Sequence, residues 1–155
     1  MNKDWIFDAD GITCGFRCAA VILRDGKVLL QRDSRNEYAL PGGHVRAGET
    51  GAEAVKRELQ EELGADVCIA RMLWSEECFW GWGERRMHTL SFYYLAHPAD
   101  ENALKDDGAF HPQKDNETIQ VGWVPVTELE NLTVYPEFLK ERINDLEPGH
   151  FITRA

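Results

Sequence analysis

The sequence predicts an α/β domain in which a mixed β-sheet is covered by helices. Short runs rich in apolar and β-branched residues indicate strands. Two separated segments carry apolar residues at helical spacing and indicate helices. The chain has 155 residues, a length at which one domain with its own core is expected. We therefore expect a single domain over residues 1–155.

Four segments of the chain predict the main strands. These segments are 16–23, 67–74, 89–96 and 119–124. The dipeptide Asp25-Gly26 lies between the first of them and a further apolar run at 28–31. Asp-Gly between two apolar runs favours a two-residue hairpin, because both central residues need a positive φ. A hairpin at Asp25-Gly26 is therefore expected.

The strongest helix signal follows residue 49. Thr50 precedes the helix and Glu53 lies three residues later, which is the capping-box pattern. Val55, Leu59 and Leu63 repeat every four residues and form an apolar stripe. Gly64 follows at the position of a C-terminal cap.

The remaining segments are a loop and a second helix. Residues 98–116 are polar and contain Pro, Gly, Asp and Asn, which predicts a long loop. Residues 136–146 begin with Pro and carry apolar residues at helical spacing, which predicts a second helix.

The charge balance restricts the class of partner. There are 17 basic and 27 acidic residues, and the formal net charge is −10. This excess argues against binding nucleic acid or an anionic membrane by bulk charge. It leaves open a small phosphate substrate, provided that a cation lies between the two negative partners.

Sequence features of location point to the cytoplasm. No apolar run approaches the length of about 20 residues that a spanning helix needs, and the N-terminus has no signal-peptide core. Cys14, Cys18, Cys68 and Cys78 form no Cys-x-x-Cys pair. We expect all four thiols to be reduced and structural.

One edge of the first helix is acidic. On a helical wheel Glu58, Glu61 and Glu62 fall within an arc of roughly 100°. Like charges at this spacing repel each other, so the cluster is either solvated or neutralised by a cation. Carboxylate oxygens suit hard cations such as Mg²⁺.

The spacing around these carboxylates extends the pattern. The residues concerned are Gly43, Glu49, Arg57, Glu58, Leu59, Glu61, Glu62 and Gly64. Their arrangement resembles the Nudix box, Gly-x5-Glu-x7-Arg-Glu-U-x-Glu-Glu-x-Gly-U, where U is a bulky aliphatic residue. The one departure is Ala65 at the last position, which affects packing more than chemistry. Similarity outside the box extends the resemblance over roughly residues 16–130.

The resemblance implies a fold, a reaction and a set of site residues. The fold is an α/β/α sandwich with a mixed central β-sheet, and the reaction is hydrolysis of a nucleoside diphosphate linked to another group X. The cofactor is Mg²⁺, with Mn²⁺ as a substitute. The implied metal ligands are Glu58, Glu61, Glu62 and the carbonyl of Gly43. Arg57 is implied to hold Glu49, a role that suits a guanidinium facing a carboxylate.

Catalytic and substrate contacts are less constrained by the pattern. Glu61 or a loop carboxylate would accept the proton of the attacking water, and Glu117 is the loop candidate, with a solvated side chain as its alternative. Arg32 is a candidate phosphate contact or an exposed strand-end charge. Tyr38 and Phe79 are candidates for stacking on a nucleobase, although aromatic residues also serve in cores and interfaces.

Two alternatives to the hydrolase remain open. One is a Nudix-like nucleotide-binding or regulatory module without turnover, a class that usually lacks box carboxylates. The other is an isomerase of isopentenyl diphosphate, a class that usually departs from the box. The sequence does not select among nucleotide substrates. Many relatives are dimers, so a homodimer is one assembly to test.

Overall fold

The computed structural model describes residues 2–155 as an α/β fold with two mixed β-sheets. The strands are β1 (Ile6–Ala9), β2 (Ile12–Val21), β3 (Leu23–Arg24), β4 (Lys27–Arg32), β5 (Tyr38–Ala39), β6 (Gly42–His44), β7 (Val67–Trp82), β8 (Arg85–Pro98), β9 (His111–Pro112), β10 (Gln120–Pro125), β11 (Val134–Tyr135) and β12 (Gly149–Arg154). The helices are α1 (Gly51–Leu63) and α2 (Leu139–Arg142), with short 3-10 helices at Glu101–Ala103 and Val126–Asn131. The predicted α/β class is confirmed, but the strands divide between two sheets.

The larger strands form the first sheet, in the order β1-β2-β8-β7-β12. Strand β6 pairs with β2 on the same edge as β1, farther along the strand. Parallel pairs (β2–β8 and β7–β12) alternate with the antiparallel pair β7–β8. The second sheet has the order β11-β5-β4-β10-β9, with β3 paired to β4. Strands β2 and β4 are joined by the short β3 hairpin, so the two sheets meet there.

The predicted hairpin at Asp25-Gly26 is present. Asp25 has φ 50° and Gly26 has φ 75°, and the flanking residues pair antiparallel. Asp10-Gly11 makes the same turn between β1 and β2, with φ values of 52° and 74°. The sequence analysis did not predict β1, although its turn carries the same dipeptide.

The two longest strands extend far beyond their predicted ends. Strands β7 and β8 pair antiparallel from Val67 and Pro98 to Trp82 and Arg85. Gly83 has φ 62° and lies in the turn between them. The aromatic and glycine-containing stretch before this turn is thus mostly strand.

Helix α1 forms where it was predicted. The Thr50 hydroxyl accepts a hydrogen bond from the amide of Glu53 at 3.1 Å. Gly64 ends the helix in the left-handed conformation, with φ 66°. Leu59 is fully buried, and so is Ala65, the residue that departs from the Nudix box.

The second predicted helix is much shorter than expected. Only Leu139–Arg142 is α-helical, and the flanking residues within 136–146 form isolated turns. Leu146 has φ 53°, which stops any continuation. Asn144 and Asp145 precede it and favour turns over helix interiors.

The core lies on both faces of β2. Cys18 and Ala20 pack on the face that α1 covers. Ala19 and Val21 pack on the opposite face, together with Leu139 of α2. Burial on both faces explains the continuous apolar run of this strand. Within residues 2–155 no helix is long and apolar enough to cross a membrane.

Candidate active site

Strand β6 brings the loop glycines against helix α1. Gly43 pairs with Cys18 of β2, and α1 packs against both strands. A Cβ atom at Gly43 would overlap the carboxyl group of Glu58. One at Gly42 would overlap the backbone of Cys18. Gly42 therefore needs glycine, because the backbone of β2 lies so close to it. At Gly43 a larger residue would displace the Glu58 carboxyl.

Arg57 holds Glu49 with two hydrogen bonds. Its Nε donates to Oε2 at 2.7 Å and its Nη2 to Oε1 at 2.9 Å. Nη2 also donates to the carbonyl of His44 at 3.0 Å, and the amide of Arg46 donates to Glu49 Oε1 at 2.8 Å. These bonds, chiefly those of Arg57, hold the pKa of Glu49 below its usual value. The clamp ties the segment after β6 to α1.

Glu58 faces Gly43 and is also held by Arg57. Arg57 Nη1 donates to Glu58 Oε1 at 2.9 Å. Burial nevertheless raises the pKa of Glu58, with Glu61 adding to the rise and Arg57 opposing it. The positive charge of Arg57 thus offsets only part of the cost of burying the Glu58 carboxylate.

Glu62 is the most unusual carboxyl group in the site. It is 4% exposed, and its Oε2 accepts a hydrogen bond from Gln113 Nε2 at 2.7 Å. No donor reaches its buried Oε1 among residues 2–155. Burial, followed by the charge of Glu58, raises the pKa of Glu62 to about 9. When no cation is bound, a proton on Glu62 removes the repulsion between the Glu58 and Glu62 carboxylates.

Glu61 points to the arginines. Arg57 Nη1 lies 3.4 Å from Glu61 Oε2, and Arg46 Nη2 lies 3.7 Å from Oε1. Its side chain is 40% exposed, in contrast to the other two helix carboxylates. In the part of the chain that the structure describes, no three His, Cys, Asp or Glu side chains are placed to hold one metal ion.

The donors nevertheless suit a hard divalent cation. Glu58 and Glu62 offer carboxylate oxygens at close range, and one buried oxygen of Glu62 has no donor. Like charges in a buried position are costly unless a cation lies between them. Mg²⁺ and Mn²⁺ prefer such oxygen ligands. The residues present therefore fit the implied metal, although Glu61 lies against the two arginines and not beside Glu58 and Glu62.

The loop before β10 reaches the site through a residue that the sequence analysis missed. Gln113 is buried and donates both to Glu62 and to Gln31 Oε1, the latter at 2.9 Å. Asp115 lies near enough to raise the pKa of Glu62. Glu117, the predicted loop residue, is exposed, and within residues 2–155 the structure does not join its side chain to the helix carboxylates by a hydrogen bond. A glutamine in a polar loop gives no sequence signal of burial.

Arg17 is a second residue that the sequence analysis missed. It lies on β2 opposite His44 of β6. Burial raises the pKa of Glu62 and of Cys18, and the positive charge of Arg17 opposes both rises. A charged residue inside an apolar strand was the available signal.

Arg32 and Tyr38 lie together at one end of the second sheet. They are directly opposite each other on β4 and β5. The Arg32 guanidinium lies 4.2 Å over the ring of Phe110, and Tyr38 makes an edge contact with the same ring at 6.2 Å. Arg32 also donates to Gln120 Oε1 at 2.9 Å. Gln31, the chain neighbour of Arg32, points to the opposite face of β4 and contacts Gln113 there. The Arg32–Tyr38 group therefore lies on the other face of the second sheet from Gln113 and Glu62.

Phe79 lies apart from these residues. Its ring stacks on His88 at 4.3 Å, and the Arg154 guanidinium lies 4.3 Å over it. His88 pairs with Cys14 on β2, four residues from Cys18, which corresponds to about 13 Å along the strand. The structure does not bring Phe79 together with the helix carboxylates.

Two cavities flank the second sheet. One of about 170 Å³ is lined by Gln31, Arg35, Tyr38 and Tyr135 among others. The other, about 460 Å³, lies beside the end of α1 and is lined by Glu62, Leu63 and Trp123 among others.

Several curated proteins with similar sequences are named as mutator proteins, nucleotide phosphatases or pyrophosphohydrolases. A putative mutator protein, MutT4, of Mycobacterium tuberculosis is 30% identical over 128 residues, covering 83% of this chain and 47% of that protein. An RNA pyrophosphohydrolase of Erythrobacter litoralis is 35% identical over 136 residues, covering 76% of this chain and 80% of that protein. Human 8-oxo-dGDP phosphatase NUDT18 is 32% identical over 120 residues, and the match spans only 33% of its length. This chain thus spans less than half of the length of some of these relatives.

Solved structures show the same fold. A MutT protein from Bacillus halodurans superposes with a TM-score of 0.71 at 18% identity, covering 91% of this chain and 90% of that one. The NUDIX domain family model matches residues 16–146, a span that contains the Arg57–Glu49 clamp and all three helix carboxylates. The chain therefore belongs to the NUDIX domain family.

Proposed function

We propose that the chain is a divalent-metal-dependent hydrolase that cleaves the pyrophosphate bond of a nucleoside diphosphate linked to another group. The observation that carries this proposal is the buried pair Glu58 and Glu62, with one Glu62 oxygen that no donor reaches. The site is built to receive a cation, and a cation allows an acidic protein to bind a polyphosphate.

Four oxygen donors would hold the metal in this proposal. They are Glu58, Glu61, Glu62 and the carbonyl of Gly43. When bound, Mg²⁺ or Mn²⁺ neutralises phosphoryl oxygens and lowers the pKa of a coordinated water. Arg57 and Glu49 act by positioning, because their clamp holds the segment after β6 against α1, where the Glu58 carboxyl lies against Gly43.

Glu61 is our first candidate for the base that accepts the proton of the attacking water. It is the most exposed of the three helix carboxylates, and only the two arginines hold it. Glu117 is the second candidate. It lies in the loop that Gln113 joins to the site, and it would reach the water only if residues 114–118 turned inward.

Arg32 and Tyr38 are the proposed substrate contacts. The Arg32 guanidinium would bind phosphate oxygens, and Tyr38 would pack against the base beside the 170 Å³ cavity. Phe79 remains a prediction, since its ring is occupied by His88 and Arg154.

The substrate class is a small nucleotide or nucleoside-diphosphate derivative. The relatives named as an 8-oxo-dGDP phosphatase and a CTP pyrophosphohydrolase support this class. We propose one domain over residues 1–155, a cytoplasmic location, no nucleic-acid partner and no membrane partner. A homodimer remains a prediction.

A substrate panel tests the proposal. It contains nucleoside triphosphates, oxidised guanine nucleotides, ADP-ribose, nucleotide sugars, dinucleoside polyphosphates and a 5′-triphosphorylated RNA oligonucleotide. Each is assayed with Mg²⁺, with Mn²⁺ and with EDTA, and products are identified by mass. We expect metal-dependent turnover of at least one small nucleotide. The variant Glu61→Gln should lose about 100-fold or more in kcat, whereas Glu53→Gln on the exposed face of α1 should not.

The silent binding module is the second candidate. The pairing of Glu61 with Arg46 and Arg57, which leaves no three-carboxylate group, favours it. Metal-dependent nucleotide binding without any product across the panel would establish this alternative and overturn the hydrolase.

A further inference from the structure

Gln113 is a buried amide between helix α1 and strand β4. Its side chain is 6% exposed. Its Nε2 donates to Glu62 Oε2 at 2.7 Å and to Gln31 Oε1 at 2.9 Å. Gln113 lies outside the Nudix box, so the box pattern assigns it no role.

The two hydrogen bonds fix the orientation of this amide. Both N–H groups of Gln113 are used, and both acceptors are oxygens. A flipped amide would place its own oxygen against two oxygens, which is unfavourable. While Glu62 is ionised, as metal binding requires, Gln113 therefore has one stable arrangement, with its donors directed at Glu62 and Gln31.

This arrangement distinguishes the two oxygens of Glu62. Oε2 is held by Gln113, whereas no donor reaches Oε1 within the described chain. A carboxylate with one oxygen fixed by a neutral donor keeps a single rotamer and leaves its other oxygen for a cation. Residues that orient a metal ligand in this way tune affinity without touching the metal.

The backbone of the same loop supports the contact. The amide of Lys114 donates to the carbonyl of Glu62 at 2.8 Å, and the amide of Gln113 donates to the carbonyl of Ile119 at 2.9 Å. The loop is thus fastened to the end of α1 on one side and to the start of β10 on the other. The hydrogen bond from Gln113 to Gln31 also joins the loop to β4.

We propose that Gln113 is a positioning residue that fixes the Glu62 carboxyl so that Oε1 is presented to the divalent cation. This inference rests on the proposed function, because it assigns Gln113 to the metal site of that reaction. It predicts that Gln113 controls metal affinity, whereas a purely structural Gln113 would affect only the stability of the fold.

The experiment compares Gln113→Met, which keeps the length of the side chain without its donors, with the wild type. Mn²⁺ affinity is measured by electron paramagnetic resonance without substrate, and melting temperature is measured in EDTA. We expect Gln113→Met to bind Mn²⁺ about 10-fold more weakly. At saturating metal its KM should stay near the wild-type value. The matched control is Gln60→Met, an exposed position on α1, which should bind Mn²⁺ like the wild type.

A double-mutant cycle separates orientation from stability. In the Glu62→Gln background, where the ionisable ligand is absent, adding Gln113→Met should change Mn²⁺ affinity no further. If Gln113→Met does not fold, Gln113→Asn is titrated in its place, because it keeps an amide that is too short to reach both partners. We expect Gln113→Asn to bind Mn²⁺ more weakly than the wild type as well.

The outcomes are distinct. Wild-type Mn²⁺ affinity in folded Gln113→Met or Gln113→Asn would overturn the inference and leave the proposed function intact. A loss that is equally large in the Glu62→Gln background would also overturn it, because the effect would then not pass through Glu62. Absence of Mn²⁺ binding by the wild type would overturn the inference together with the metal-dependent reaction.

Discussion

Glu62 should make the metal-free protein less stable as the pH rises. Burial and the charge of Glu58 raise its pKa to about 9 in the folded chain, against 4.5 for an ordinary glutamate. The folded state therefore holds this proton more tightly than the unfolded state does. The resulting stability is complete below pH 4.5 and is lost as the pH rises toward 9. At about 1.4 kcal/mol per pH unit, the loss between pH 5 and pH 8 approaches about 4 kcal/mol as an upper limit.

The assay is urea unfolding in EDTA across this pH range, comparing the wild type with Glu62→Gln. His44 acts in the opposite direction, because burial lowers its pKa, but it is present in both proteins. The difference between them therefore isolates the proton uptake of the Glu58–Glu62 pair, to which Glu62 contributes the larger rise in pKa. Glu62→Gln should lack most of the decline, and saturating Mg²⁺ should cancel it in the wild type. Parallel pH profiles of the two proteins in EDTA would refute the reasoning.

Three further variants test the packing around the site. Arg57→Lys should destabilise the fold by about 2 kcal/mol in urea unfolding, because one ammonium cannot replace the bonds to Glu49 and the His44 carbonyl; an unchanged midpoint would contradict the clamp. Gly43→Ala should weaken Mn²⁺ binding, since its Cβ displaces Glu58, and wild-type affinity in a titration would argue against this contact. Thr50→Ala should lower unfolding free energy by about 1 kcal/mol through loss of the N-cap, and no change would show that the cap contributes nothing.

Local sequence signals predicted the features that depend on neighbouring residues. The caps of α1, its apolar stripe and the Asp25-Gly26 turn all depend on residues a few positions apart, and each is confirmed. The predicted length of the second helix was wrong, because apolar spacing alone takes no account of the turn-forming residues before Leu146. The turn at Asp10-Gly11 could have been predicted from the same dipeptide.

Contacts between distant segments could not be derived from spacing. The wheel placed Glu58, Glu61 and Glu62 on one edge of α1, but it could not show that Arg46 and Arg57 draw Glu61 aside. The burial of Gln113 depends on how residues 99–119 fold back on α1, and no periodic pattern records that. Phe79 was chosen as one aromatic residue among several, and only the β7–β8 register shows its distance from Gly43.

Metal binding by the carboxylate pair is the central claim, and a direct titration tests it. Mn²⁺ is titrated at neutral pH into the wild type and into Glu62→Gln, with free Mn²⁺ followed by electron paramagnetic resonance and melting followed in parallel. The account predicts saturable binding to the wild type with a rise in melting temperature; stability should increase by about 2.7 kcal/mol at 100 times the dissociation constant. Glu62→Gln should bind much more weakly and show a smaller rise. A wild type that binds no Mn²⁺ at millimolar concentration and melts at an unchanged temperature would contradict the claim.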